Sequence, residues 1–464
     1  MKDKVRRWDS VMWLFVKGIL YFLLMGTFLV CLGKESHSLR ALSRTLGITV
    51  STFLVVEMLF VSIYGKYDVG RKKSKPIIIS LGLATFFTDI ITYIQLMIMR
   101  TNVQSIYAFR IRSISWLLVA LAMQLLLITI FVYVGNEVFF LINKPERSCV
   151  VTGRQKDLNA IMRVISKYQR QYRPEQAFDY RDPDILSKIE EYETVFIYEV
   201  PIEQRTKIVR YCYQEKKDVY YNPELHDIME FNAEYYVLDD VSLLNSRTTE
   251  LTMEQRIVKR TVDLVLAIVI GVLSLPFSIG AAIAIKCYDG GSIFFKQKRA
   301  TLNGRIFEVY KFRTMKENVE HKSARKGDSR VTKPGKFLRK TRIDELPQLI
   351  NIIKGDMSFV GPRPEMIENV TQYTKILPEF KYRLRVKAGL TGYAQVAGKY
   401  NTTPKDKLMM DIMYIENYSI FKDIQLLFQT VGVVLKSDST EAFGEEEGQE
   451  PLKLQKFQKQ QKEG

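Results

Sequence analysis

Histidine is nearly absent, with three in 464 residues: His37, His226 and His321. Imidazole is the usual proton carrier near neutral pH, so general-base chemistry built on it is poorly supported and carboxylates must carry any catalysis. Cysteine is as scarce. Cys31, Cys149, Cys212 and Cys287 lie far apart with no C-x-x-C, which argues against a zinc site and a disulfide framework. No G-x-G-x-x-G follows the β-rich run at Cys149, and no D-x-D stands in the C-terminal region. The net charge of +17 comes without a nucleic-acid signature, neither paired Cys/His spacing nor an aromatic–basic stripe. It points instead to an anionic membrane surface or phosphorylated substrates.

Long apolar runs are what the chain does have. They cover about Val11–Leu32, Leu46–Tyr64, Pro76–Met99 and Trp116–Val134. Each approaches the ~20 residues that a helix needs to cross a bilayer, which predicts a four-span domain over residues 1–147. The first run is too long for a cleavable signal peptide and lacks a small-residue cleavage site. Lys and Arg are denser before the first run, between the second and third, and after the fourth than in the other connections. That asymmetry predicts both ends of the domain on the cytoplasmic side. Glu57 and Asp89 fall inside spans, where an acid marks an ion path or is a protonated or helix-paired structural group.

From Ser148 onward, short β-rich runs (CVVTG, TVFIYEV, VYYN) alternate with amphipathic helical ones (DLNAIMRVISKYQRQ, IEQRTKIVRYCYQEKK). This predicts a small, parallel, Rossmann-like α/β domain over residues 148–250. With only Gly153 after its first strand, it is not expected to bind a dinucleotide. A fifth apolar run, Val262–Ile285, is long enough to span and holds Ser274 and Pro276 near its middle. Basic residues flank it on both sides, and Pro276 breaks or kinks a helix. A helix that enters, bends and returns satisfies both facts; an ordinary kinked span is the alternative. The tail, residues 438–464, is acidic and then Gln/Lys-rich, a composition that predicts disorder.

Residues 251–437 carry four pieces rich in Gly, Pro and basic residues: YKFRTM (310–315), FLRKTRIDELPQL (337–349), GDMSFVGPRP (355–364) and KAGLTGYAQVAGK (387–399). In the second, Arg339, Lys340 and Arg342 precede Asp344 and Glu345. Cations within about 4–6 Å hold a carboxylate ionised. An ionised Asp can attack phosphorus while its neighbour ligates a hard cation, and guanidinium groups clamp phosphate oxygens. The same spacing equally fits a plain helix start, with Thr341 as cap, acids in the first turn and Pro347 early. Lys311 and Arg313 would share one strand face, to meet a diphosphate or to solvate an edge. Arg363 lies between prolines, aimed by a rigid turn or simply exposed in a loop. Gly389, Gly392 and Gly398 admit a nucleotide close to the backbone or make turns.

As an ordered set, the Pro-containing helix with basic flanks, YKFRTM, RKTRIDELPQL, GDMSFVGPRP and LTGYAQV resemble the bacterial sugar transferase family. These are the monotopic polyprenyl-phosphate phosphoglycosyl transferases that begin capsule, exopolysaccharide or O-antigen synthesis. The likeness covers about Gln255–Lys436. The preceding helices and α/β domain resemble the long members, typified by undecaprenyl-phosphate glucose or galactose phosphotransferases. The resemblance implies a membrane α-helical bundle, a Rossmann-like domain, and a mainly helical α+β catalytic domain with a re-entrant helix over 262–285 broken at Ser274 and Pro276. That domain would lie on the cytoplasmic face of a bacterial cell membrane.

The resemblance also implies a reaction. Asp344 would attack a UDP-hexose, glucose or galactose, expelling UMP and passing the phosphosugar to undecaprenyl phosphate. Glu345 would hold Mg²⁺, and Lys311, Arg313, Arg339 and Arg363 would bind phosphate. No nucleic acid is implied, and a homodimer or higher oligomer stays open. Two positions depart from the common pattern: Ala388, where many members have Pro, and Lys399, where many have Arg and its bidentate geometry. Competing readings are a glycosyltransferase that passes only the sugar, releasing UDP, and a non-enzymatic assembly or regulatory membrane protein.

Overall fold

The computed structural model describes residues 2–99, 114–231, 233–245, 251–316, 328–398 and 403–434. Lys399 and the 438–464 tail lie outside them. The chain divides into two units at Asn222 and Pro223.

The first unit opens with four helices long and apolar enough to cross a membrane: α1 (Lys2–Gly33), α2 (Arg44–Tyr64), α3 (Ser74–Met99) and α4 (Ile114–Ile142). The outer helices outrun the apolar runs because helical hydrogen bonding continues through polar flanks. Gln124 Nε2 donates to Asp89 Oδ1 at 3.2 Å and to the Leu24 carbonyl at 3.1 Å, joining α4, α3 and α1. Glu57 accepts from Thr85 Oγ1 at 3.4 Å. Each acid is therefore paired to a neighbouring helix.

Four parallel strands follow, β1 (Glu146–Thr152), β2 (Tyr172–Asp179), β3 (Thr194–Ile197) and β4 (Asp218–Tyr221), in the spatial order β2-β1-β3-β4. Alternation along β1 sends Val150 to one face, against Leu158 and Met162 of α5 (Gln155–Ile165). Cys149 and Val151 go to the other, against Ile208 and Cys212 of α6 (Ile202–Gln214). The Tyr180 ring fills the space beside Gly153, where a Cβ would come within 2.4 Å of it. The hairpin of β5 (Glu234–Leu238) and β6 (Val241–Asn245) follows and falls in the second unit.

In the second unit, α7 (Met253–Asp289) keeps helical hydrogen bonding on both sides of Pro276. A single missing donor is tolerated because the turns on either side keep theirs. Lys259, Asp263, Ala267, Ser274, Ala281 and Ile285 are buried, a stripe along one face. Its first half is fastened by Lys259 Nζ to the Val360 carbonyl (2.9 Å) and by Asp263 to Ser358 Oγ (3.0 Å) and Phe359 N–H (2.9 Å). Its second half packs Ala281 and Ile285 with Phe312 and Leu338, and Asp289 pairs with Arg313. One domain thus holds both halves, while Ile268, Val272, Leu273, Phe277 and Ile283 stay exposed.

The rest of the unit includes the antiparallel pair β7 (Phe294–Ala300) and β8 (Ile306–Phe312), then α8 (Lys333–Thr341), α9 (Gln348–Lys354), β9 (Met357–Val360), β10 (Ala388–Thr391), α10 (Pro404–Glu416) and α11 (Ile420–Val434). β9 and β10 run parallel. Leu349, Ile352, Phe359, Val360, Leu408 and Ile412 form the core on which they rest.

Candidate active site

The acid pair sits where two helices meet. Thr332 opens α8 by accepting from Gly335 N–H at 3.0 Å, and Arg342 closes it in the left-handed region at φ 59°. Thr341 belongs to the end of α8, with its hydroxyl donating back to the Phe337 carbonyl at 2.9 Å. It does not cap α9, and the reading of Asp344 and Glu345 as an acidic first turn of that helix is corrected accordingly. They occupy a short 3₁₀ turn, Ile343–Glu345, and Pro347 then starts α9.

Three cations converge on one oxygen of Glu345. Lys311 Nζ donates to Oε1 at 2.8 Å, Arg363 Nη2 donates to it at 3.0 Å, and Arg342 Nη1 stands at 4.0 Å. Burial alone would raise the Glu345 pKa, but the charges of Lys311, Arg363 and Arg342 outweigh it and hold the carboxyl well below the usual range. Asp344 differs. Its Oδ1 is buried with no hydrogen-bond partner among the described residues. Burial first, and the charge of Glu345 second, push its pKa up to about 6 against the pull of Lys311, Arg342 and Arg339. The basic neighbours in the motif were expected to keep Asp344 ionised; Arg342 and Arg339 do pull its pKa down, but burial and the charge of Glu345 outweigh them.

The predicted phosphate ligands separate. Lys311 and Arg363 meet at Glu345, while Arg339 donates from Nε to Thr314 Oγ1 at 2.8 Å. Arg313 is committed elsewhere, to Asp289 through Nη1 at 3.0 Å and to the Ser292 carbonyl through Nε at 2.6 Å. It lies past the end of β8, so strand alternation no longer aligns it with Lys311. Ser274 and Pro276 lie on α7, whereas the hydrogen bonds to Glu345 come from other segments.

Gly389 and Gly392 serve backbone packing against Gly361. Gly361 N–H donates to the Thr391 carbonyl, and Gly389 N–H to that of Pro362, both at 2.9 Å. A Cβ on Gly389 would come within 2.2 Å of Gly361 N, and one on Gly392 within 2.1 Å of Gly361 O. Only glycine lets the ends of β9 and β10 approach so closely. Ala388 uses the N–H that Pro would lack, donating to Thr301 Oγ1 at 3.1 Å.

Several contributors escaped sequence reasoning. Asn351 donates to the Glu308 carbonyl at 2.7 Å and accepts from Tyr310 N–H at 3.0 Å, locking α9 to the strand that carries Lys311. A fully buried amide inside LINII was a readable signal. Arg383 and Asp411 form a buried ion pair 28 positions apart, with nothing local to announce it.

Residues 254–437 match the family described as bacterial sugar transferase. A relative in Caulobacter vibrioides, named UDP-glucose:undecaprenyl-phosphate glucose-1-phosphate transferase, is 39% identical over 189 residues, 39% of this chain and 71% of the relative. One in Aeromonas hydrophila, named UDP-N-acetylgalactosamine-undecaprenyl-phosphate N-acetylgalactosaminephosphotransferase, is 40% identical over 38% of this chain and 44% of its own length. The Salmonella typhimurium undecaprenyl-phosphate galactose phosphotransferase is 34% identical over 43% of this chain and 45% of its own length. The match thus spans less than half of these last two relatives. The chain belongs to the bacterial sugar transferase family.

Proposed function

We propose that the protein transfers hexose-1-phosphate from a UDP-sugar, glucose or galactose, to undecaprenyl phosphate, releasing UMP at the start of capsule or exopolysaccharide synthesis. The observation that carries this reading is the Asp344 oxygen, buried and unpartnered among the described residues, beside a carboxylate already pinned by cations. An acid so placed is poised to form a bond. In the first half-reaction the Asp344 carboxylate attacks the sugar-bearing β-phosphorus. The bond from that phosphorus to the bridging oxygen breaks, and UMP leaves with the oxygen and its electron pair. In the second, a phosphate oxygen of undecaprenyl phosphate attacks the same phosphorus and Asp344 departs as carboxylate.

Arg363, with 41% of its side chain exposed, would contact phosphate oxygens, and Arg339, whose charge reaches Asp344, would join it. No cluster of three or more His, Cys, Asp or Glu occurs among the described residues, and a Mg²⁺ would have to take most of its ligands from substrate phosphates and water. Glu345, kept ionised by its cations and next to Asp344, would hold the ion. Bound there, it would neutralise charge on the leaving phosphate.

We place α1–α4 across a bacterial cell membrane and let α7 enter and return, with the catalytic unit in the cytoplasm. The basic flanks and the attachment of both halves of α7 to one domain support this topology.

The reaction is tested with purified protein, Mg²⁺, undecaprenyl phosphate, and UDP-glucose or UDP-galactose. UMP is the expected nucleotide, and Asp344→Asn should abolish it. Release of UDP would move the assignment to sugar-only transfer, and no nucleotide release from either donor would remove it.

A further inference from the structure

Arg363 can serve phosphate only where the turn that carries it is held, and a loop side chain is placed by its backbone. Pro362 and Pro364 contribute no N–H to fasten that turn. Gly389 N–H holds the Pro362 carbonyl at 2.9 Å, and two other arginines grip the next two carbonyls. Arg299, at the end of β7, donates from Nη1 to the Pro364 carbonyl at 3.2 Å. Arg383 donates from Nη2 to the Arg363 carbonyl at 2.9 Å. Consecutive carbonyls are therefore caught from two separate segments of the chain.

The two grips differ in how they are supported. Arg383 is 3% exposed and is itself locked by Asp411 Oδ2, at 2.8 Å from Nε and 2.7 Å from Nη2. Arg299 has no such ion pair among the described residues: its other partner is the amide oxygen of Gln297, at 2.6 Å from Nη2. Burial, and then the charge of Arg363, push the Arg299 pKa down to about 10. The charges of Glu365, Glu368 and Glu345 pull the other way, and none of the three forms an ion pair with Arg299 among the described residues.

We infer that Arg299 and Arg383 are positioning residues: they clamp the Pro362-Arg363-Pro364 turn by the Pro364 and Arg363 carbonyls and so set where Arg363 meets the substrate phosphate. The inference rests on the phosphotransfer reading for the identity of that phosphate.

Arg383→Ala would strand the buried Asp411, so Arg299 carries the test. UMP release by the full-length protein is measured over a range of UDP-sugar concentrations for the wild type, Arg299→Gln, Arg299→Lys, Arg363→Ala and the Arg299→Gln/Arg363→Ala double variant. Arg299→Gln should lower kcat/KM by roughly 10–100-fold, the range of a lost supporting contact to a site. Arg299→Lys, which keeps a donor, should recover most of the loss. In the Arg363→Ala background the same Gln substitution should cost less than about twofold, because residues acting through one another are not additive. Losses that multiply in the double variant overturn the inference.

Amide hydrogen exchange over residues 357–368 supplies a readout that needs no turnover. Faster exchange around Arg363 and Glu365 in Arg299→Gln is expected, and unchanged exchange refutes the clamp. Should the wild type release no UMP, the transfer reading fails while exchange still decides whether Arg299 holds the turn.

Discussion

Asp344 and Glu345 are neighbours in sequence with opposite electrostatic fates, and the difference has measurable consequences. With a pKa near 6, Asp344 is largely ionised at pH 7–8, and the transfer rate should fall by about tenfold per pH unit well below 6. The stability effect has the reverse sense. The folded-state value lies above the ordinary 3.8, so this group favours folding at low pH and loses that contribution as pH rises through about 6. At pH 8 the ionised carboxylate is then a liability of roughly 1–3 kcal/mol. Asp344→Asn should abolish UMP release yet raise the thermal midpoint at pH 8, and a lowered midpoint would count against this account. Lys311 opposes the upward push on Asp344. Lys311→Met should therefore move the acidic limb of the pH–rate profile to higher pH; a limb that stays in place would show that its charge does not reach Asp344.

At the scale of elements, the approach of β9 to β10 decides where Arg363 can stand. Gly392→Ala would drive a methyl group to 2.1 Å from the Gly361 carbonyl oxygen, against backbone that cannot swing away. A destabilisation of about 3 kcal/mol is expected, the upper part of the range for overpacking. Thermal unfolding checks it, and a midpoint within a degree of wild type would mean that the strands separate freely. The long apolar helices and the alternation of the α/β part were legible because their signals are local: runs of apolar residues, and periods of 2 and 3.6. The acid pair was legible as a motif, but not as a turn, because the left-handed residue that ends α8 is Arg342 rather than glycine. Arg313 was misjudged for a related reason, since nothing in YKFRTM marks where β8 stops. The Arg383–Asp411 pair and the grip of Lys259 on Val360 join distant segments and have no local trace.

For the whole molecule, the decisive question is where α7 leaves the chain beyond it. A straight helix of 37 residues would be about 55 Å long, more than enough to cross a hydrocarbon core of about 30 Å. Crossing would carry Asp344 to the outer face, away from cytoplasmic UDP-sugars. Against crossing stand the basic residues on both flanks, and the fastening of Lys259 and Asp263 at one end and of Ala281, Ile285 and Asp289 at the other to a single folded unit. Pro276 lies about 140° around the helix from the middle of the buried stripe, counting about 100° per residue, so its clash with the preceding turn favours bending toward the domain. An epitope tag placed after Lys436 should then be invisible to antibody on spheroplasts with an intact membrane and become visible only after permeabilisation. Staining of intact spheroplasts would mean that α7 spans, and the proposed cytoplasmic site would have to be abandoned.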